Sequence, residues 1–288
     1  MSYVIFTDSS ADVASDVLAS WGVKSFPLTL RFDGDDKEYY NDDIPVQEFY
    51  KRMREGGIPH TAAANVDTIA NQFVPELEAG NDVLYLAFSS GLSTTANSGR
   101  LAAEELSGRY PDRKVIVIDT LCASTGQGLL VYYAVQNQKA GMDLEANAAD
   151  VREKIPHIDH WFTVDDLIYL HRGGRVTATA AFAANMLNIK PVLNVDDEGH
   201  LIARTKVLGR KASIKAIAQK YKELALDPEH GVYFICHGDC IEDAKLLESY
   251  VAEANGGNKC DMFSYTGQVI GSHSGPGTLA LFFLGKQR

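Results

Sequence analysis

The chain has 288 residues, of which 45% are hydrophobic and 23% charged, and its net charge is −11. Two globular units fit that length better than one core, with enough apolar volume left over to line a cavity. The acidic balance disfavours nucleic acid and anionic membrane surfaces as partners, since both select a basic footprint.

Tyr3 to Phe6 reads as an apolar opening strand ending in Thr7-Asp8-Ser9-Ser10, with no signal-peptide pattern before it. A helix is expected from about Asp12 to Trp21, an extended run from Val23 to Phe32, and a turn at Gly34-Asp35-Asp36. Helices follow over Val46 to Arg54 and Asp67 to Leu77. Asp82 to Phe88 is a buried strand leading into Ser89-Ser90-Gly91-Leu92-Ser93, and a helix runs from about Thr94 to Leu106. Lys114 to Ile118 is a further strand. The helix from about Ala123 to Gln138 is apolar on most sides and so belongs in the interior. This rhythm predicts a parallel sheet with helices on both faces.

The second half reads as a mixed α+β unit. Lys190 to Val195 and Leu201 to Val207 form a hairpin around Asp196 to His200. Helical spacing of Ile214, Ile217, Tyr221 and Leu224 is followed by a strand from Val232 to Cys236 and a helix carrying Ala244, Leu247 and Val251. Paired strands, Met262 to Ile270 and Leu279 to Leu284, close the chain. The fold class is therefore α/β, with units 1–158 and 159–288 packed closely across a boundary near Ile158. Four cysteines do not suggest a disulfide framework, and Cys236 and Cys240 lack a second pair at zinc-site spacing, so no metal is expected. With no run long enough to span a membrane, the expected compartment is the cytoplasm.

Open parallel sheets bind ligands beyond the carboxyl ends of their strands. Ser93 there reads as a helix cap, with Thr94 and Thr95 in the first turn, a setting that favours a carboxylate or a phosphate. His171-Arg172-Gly173-Gly174-Arg175 and the loop Ser272-His273-Ser274-Gly275-Pro276-Gly277 are the other candidates. If Ser93, Arg175 and His273 converge, the site lies between the two units. Nucleophile-elbow, dinucleotide and Walker patterns are absent. Phe73, Phe88, Phe182 and Met186 are possible slot walls, though core is the commoner fate of such residues.

In order along the chain, Thr7-Asp8-Ser9-Ser10-Ala11-Asp12, Ser89 to Ser93 with Thr95, Asn97 and Ser98, Ile118-Asp119-Thr120, Gly126-Gln127-Gly128, Gly173-Gly174-Arg175, Asn188-Ile189-Lys190-Pro191 and Gly271 to Gly277 resemble the motifs of the DegV family of fatty-acid-binding proteins. The resemblance implies one long-chain fatty acid between the units, no cofactor, and a carboxylate held by Thr61 and Ser93, with Thr94, Thr95 and Ser274 beside them. It further implies a separate fatty acid kinase as partner, which turns the acid into acyl phosphate for phospholipid synthesis. Arg172, Arg175, Arg210 and His273 are then the residues of the handover. The sequence departs from the family pattern at Ala62-Ala63-Ala64, at Thr94 where glycine is common, and at Leu208 where a basic residue is frequent. Two other readings are a hydrolase using Ser93 and His273, and a regulatory module filled by lipid.

Overall fold

The computed structural model describes residues 2–41, 43–177 and 188–288. The chain opens with strand β1 (Tyr3–Asp8), helix α1 (Ser15–Trp21) and strand β2 (Lys24–Phe26). An antiparallel excursion follows: β3 (Thr29–Phe32), β4 (Tyr39–Tyr40), α2 (Val46–Arg54) and β5 (Pro59–Ala62), whose strands form a small sheet ordered β4-β3-β5. The parallel rhythm resumes through α3 (Val66–Glu78), β6 (Asp82–Ala87), α4 (Thr95–Arg109), β7 (Val115–Asp119), α5 (Thr125–Lys139) and α6 (Leu144–Lys154).

The four parallel strands stand in the order β2-β1-β6-β7. Every residue of β6 is buried, which explains its apolar run without alternation. Side chains still divide by parity. Val83, Tyr85 and Ala87 face a cluster built with α3 and α4, whereas Leu84 and Leu86 face α5. Because the chain leaves β1 in both directions across the sheet, the crevice between the ends of β1 and β6 is the switch point where ligands settle.

The second half begins with β8 (Ile158–Thr163) and α7 (Ile168–Arg172), and continues through β9 (Ile189–Val195), β10 (Leu201–Leu208), α8 (Arg210–Leu224), β11 (Tyr233–His237), α9 (Ile241–Ala252), β12 (Met262–Tyr265), α10 (Gln268–Ser274) and β13 (Leu279–Leu284). The sheet is mixed, in the order β10-β9-β8-β13-β11-β12. Helices α8 and α9 cover one face through Ile214, Ile217, Tyr221, Leu247 and Val251. Its other face turns Phe162, Phe234 and Phe282 toward α5, in the same cluster as Leu84 and Leu86. Helix α5 is thus enclosed by both sheets, and its apolar residues all round follow from that.

Three expectations need correcting. Helix α1 starts at Ser15, not Asp12, because Asp12 adopts a left-handed φ of 52° that ends a short 3-10 turn at Ser9–Ala11. The two closing strands do not pair with each other: β11 lies between them, parallel to β12 and antiparallel to β13. Residues 268–270, expected in the first of those strands, open α10. Val269 and Ile270 look strand-like, yet the segment buries Gln268, Val269, Gly271 and Ser272 against its neighbours. Among the described residues no helix is long and apolar enough to cross a membrane.

Candidate ligand slot and its polar mouth

A cavity of about 350 Å³ opens beyond the carboxyl end of β6 and extends along the inner face of the mixed sheet. That volume lies within the range of small-molecule sites. Its body is formed by Leu28, Phe88, Phe162, Val195, Leu201 and Phe282. Phe88 is therefore a wall. Phe73 is not: it packs edge-on against Phe6 in the core under α3. Phe182 and Met186 lie outside the described residues.

The polar mouth is assembled from distant segments. Thr61 comes from the end of β5, Ser93 and Thr94 from the turn after β6, Arg175 from the segment after α7, and His273 and Ser274 from the last turn of α10. Thr94, Ala62 and Ala63 are exposed at the rim. Thr95 is buried behind the mouth, where it orients Ser93: the hydroxyls lie 2.9 Å apart, and Thr95 N–H donates to Ser93 Oγ at 3.3 Å. Thr94, not Ser93, occupies the cap position of α4, and its own side chain makes no capping bond. Gly91 is required for close approach, since a Cβ there would come within 2.8 Å of the Glu198 and Gly199 carbonyl oxygens at the β9–β10 turn.

Thr61 Oγ1 and His273 Nε2 are 2.8 Å apart. The other ring nitrogen of His273 is buried with no hydrogen-bond partner among the described residues. Burial first, then Arg175 and His60, lower the His273 pKa to about 4, so its imidazole is neutral at pH 7. Arg175 Nε and Nη2 donate to the Leu92 carbonyl at 3.1 and 2.8 Å, and Nη1 donates to Gly173 O. No carboxylate pairs with it among the described residues, and burial lowers its pKa. The mouth is a neutral imidazole, a cation without a counter-charge, and several hydroxyls, including the unpartnered buried Ser274 Oγ. Such a set suits an anion.

Ser93 and His273 do not form a nucleophile–base pair. Ser93 Oγ is engaged with Thr95 and His273 with Thr61, and no carboxylate orients the imidazole among the described residues. Of the handover candidates, Arg172 is exposed beside a second cavity, while Arg210 is held elsewhere. Its Nε donates to Asp243 at 2.8 Å and its Nη2 to the Gly277 carbonyl at 2.7 Å. Leu208 stands exposed at the edge of the mixed sheet. Cys236 Sγ lies 3.2 Å from both Ser124 Oγ and Thr266 Oγ1, and Cys240 Sγ donates to Thr278 O at 3.3 Å.

Sequence reading missed the buried carboxyls that hold the crevice together. Asp8, its pKa raised by burial, accepts from Tyr85 OH at 2.7 Å and Phe88 N–H at 3.1 Å, fixing the turn that carries Ser93. Asp12 accepts from Ser124 Oγ at 2.5 Å and Gly267 N–H at 3.0 Å, joining α5 to the start of α10. His160, a deep wall of the slot, accepts from Ala123 N–H and bonds Ile158 O through its second nitrogen. Asp8 and Asp12 both stand in the opening motif, but nothing local to either announces its partners.

The sequence model of the DegV family matches residues 2–286. A DegV domain-containing protein of Clostridium perfringens is 41% identical over 286 residues, which cover 98% of this chain and 97% of the relative. The fatty-acid-binding DegV family protein from Thermus thermophilus superposes with a TM-score of 0.88 at 29% identity, covering 99% of this chain and 100% of that one. A stearic-acid-binding protein from Eubacterium ventriosum gives a TM-score of 0.89 at 26% identity, over 99% and 98% of the two chains.

Proposed function

The chain belongs to the DegV family, and from that premise we propose that it carries one long-chain fatty acid and presents the carboxylate to a separate fatty acid kinase. In this reading the acyl tail lies in the slot between units 1–158 and 159–288. Thr61 and Ser93 bond the carboxylate, with Thr94, Thr95 and Ser274 framing them. Arg175 balances the charge and His273 fixes the Thr61 hydroxyl. The chain itself needs no cofactor and works in the cytoplasm. Arg172 faces the partner, and Arg210 acts indirectly by holding the turn after α10.

The observation that carries the reading is a slot with a largely apolar body whose mouth brings together Thr61, Ser93, Ser274, a neutral imidazole and one guanidinium without a counter-charge. Burial of about fifteen methylenes at ~0.8 kcal/mol each amounts to about 12 kcal/mol before the costs of association. A buried carboxylate without hydrogen bonds would cancel several kcal/mol of that, and the mouth provides them. The exposed rim at Ala62, Ala63 and Thr94 leaves the acid's oxygen within reach of another protein. The kinase step is then attack of that oxygen on the terminal phosphorus of ATP, with ADP leaving and acyl phosphate formed for phospholipid synthesis.

Organic extraction of the purified protein followed by mass spectrometry tests the carrier role. One acyl chain per molecule is expected, and a blank from protein purified without detergent overturns it. ATP plus a bacterial fatty acid kinase should give acyl phosphate only when this protein is present.

A further inference from the structure

Strand β7 ends at Asp119 and α5 begins at Thr125, and the turn between them brings Ser124 into the wall of the slot. Its backbone stands at φ 54° and ψ −147°, at the border of a region that glycine alone enters freely. Capping does not account for a serine there, because its side chain makes no capping bond to α5. The hydroxyl instead donates to Asp12 Oδ2 at 2.5 Å. We propose that Ser124 and Asp12 are a nucleophile and its base, for hydrolysis of a carboxylic ester whose apolar arm occupies the slot. Neither residue belongs to the polar mouth, and the assignment does not rest on the carrier reading.

Three observations point this way. A serine on a strained strand-to-helix turn is the arrangement that presents a nucleophile at the carboxyl edge of a parallel sheet. The run here is Cys122-Ala123-Ser124-Thr125-Gly126, in which the second glycine of such a turn is present and Cys122 replaces the first. Gly126 is required by space, since a Cβ there would stand 2.2 Å from His160 Nε2. Secondly, donors for an oxyanion belong to the next residue. Thr125 opens α5, so its N–H has no acceptor within the helix, and its Oγ1 is buried with no hydrogen-bond partner among the described residues. Thirdly, Asp12 is buried, is fixed by Gly267 N–H at 3.0 Å, and pairs with no cation among the described residues. Its second oxygen is left to the serine.

A fatty acid held by its carboxylate at the mouth shows Ser124 only methylenes, so the substrate is an ester seated with its carbonyl at the serine. Ser124 Oγ attacks the carbonyl carbon while its proton passes to Asp12. The carbon–oxygen bond to the alcohol breaks, and Asp12 returns the proton to the departing alcohol. Water then attacks the acyl-serine and gives a proton to Asp12, which hands it to Ser124 Oγ as the carboxylic acid leaves. Asp12 serves as base only when ionised. Burial raises its pKa to about 8 against the bonds from Ser124 and Gly267, and Asp8 adds to the rise. Tyr50 and Cys236, the other titratable groups facing it, are raised by burial and stay protonated there. Turnover should therefore climb as pH rises through about 8.

The test uses delipidated full-length protein, with 4-nitrophenyl octanoate as substrate and a fluorophosphonate as label. One label per molecule is expected, mapped to Ser124 by peptide mass spectrometry. Ser124→Gly should lose label and turnover yet unfold near the wild-type temperature, since relief of the backbone offsets the lost hydrogen bond. Asp12→Asn keeps the shape and should lower turnover about a hundredfold or more. An unlabelled wild type, a label on Ser93 instead, or turnover that survives Ser124→Gly overturns the assignment. A profile flat across pH 8 overturns Asp12 as the base. Mapping the label on wild-type protein decides the nucleophile even if a variant fails to fold.

Discussion

Thr61 and His273 stand 212 residues apart in sequence and 2.8 Å apart in space, so the small antiparallel sheet and helix α10 close the slot mouth through one hydroxyl–imidazole contact. That contact has a pH signature. Since the folded pKa of His273 is about 4, below the ordinary 6.5, the unfolded chain binds the extra proton first between those values. Stability is therefore complete above about pH 6.5 and falls as pH drops toward 4, by up to about 3 kcal/mol. His160 is depressed as well, so the comparison requires His273→Gln. Urea unfolding from pH 7 to 4 should show a shallower acid loss in the variant than in the wild type. Parallel curves would mean that His273 is not the group responsible.

Gly173 controls the same imidazole by leaving it room. Its backbone is ordinary, with φ −71°, so alanine there is tolerated by the chain but collides with His273 Nδ1. Gly174 is the reverse case: φ is +73° and nothing lies within 4 Å of a Cβ. Gly173→Ala should lower fatty acid affinity about tenfold with little change in Tm. Gly174→Ala should cost about 1 kcal/mol of stability while leaving affinity nearly intact. Paired thermal unfolding and binding measurements distinguish the two, and identical behaviour would refute the steric account.

Much of the fold was legible because its signals are local. Val46–Arg54 matches the spacing of its apolar residues, and the β9–β10 hairpin announces itself through Asp196 to His200. Four elements were passed over: β4 and β5, two and four residues long and too short to show a period, and α6 and β8. Helix α6 had its Asp143 cap and Leu144, Ala148 and Val151 at helical spacing, but many short polar residues diluted the pattern. Strand β8 is central and buried on both faces, so Asp159 and His160 interrupt an apolar run with no alternation to reveal it. The site was legible as residue types and not as contacts. Nothing near Thr61 announces His273, and nothing near Ser93 announces Asp8, since both meetings depend on how separate elements pack.

The oxygen of Ser93 is expected to hold a head group, not to attack one. Ser93→Ala should reduce fatty acid affinity about tenfold, the effect of one hydrogen bond to a charged partner, while extraction still yields an acyl chain. Ester hydrolysis by the wild type, abolished in Ser93→Ala, would instead establish a nucleophile. Arg175 should matter more. Arg175→Lys keeps the charge but cannot serve the Leu92 and Gly173 carbonyls together, so both affinity and stability should fall, the latter by about 1–2 kcal/mol. Calorimetry and urea unfolding on the same samples check both effects.

Asp12 provides the opposite dependence on pH. Burial outweighs its bonds from Ser124 and Gly267 and raises its pKa from 3.8 to about 8. Within that window the folded chain holds a proton that the unfolded chain has released. Its contribution is thus fully present below about pH 4 and is lost as pH rises through 8, at about 1.4 kcal/mol per pH unit. Asparagine has nearly the same shape, with an oxygen for Gly267 N–H and an amide to donate to Ser124, and it does not ionise. The stability of Asp12→Asn relative to the wild type should therefore climb from pH 5 to 8.5, and the variant should unfold at higher urea at the alkaline end. A constant difference across that range would mean that Asp12 is ionised in the folded protein despite its burial, stabilised by more than the two donors that touch it.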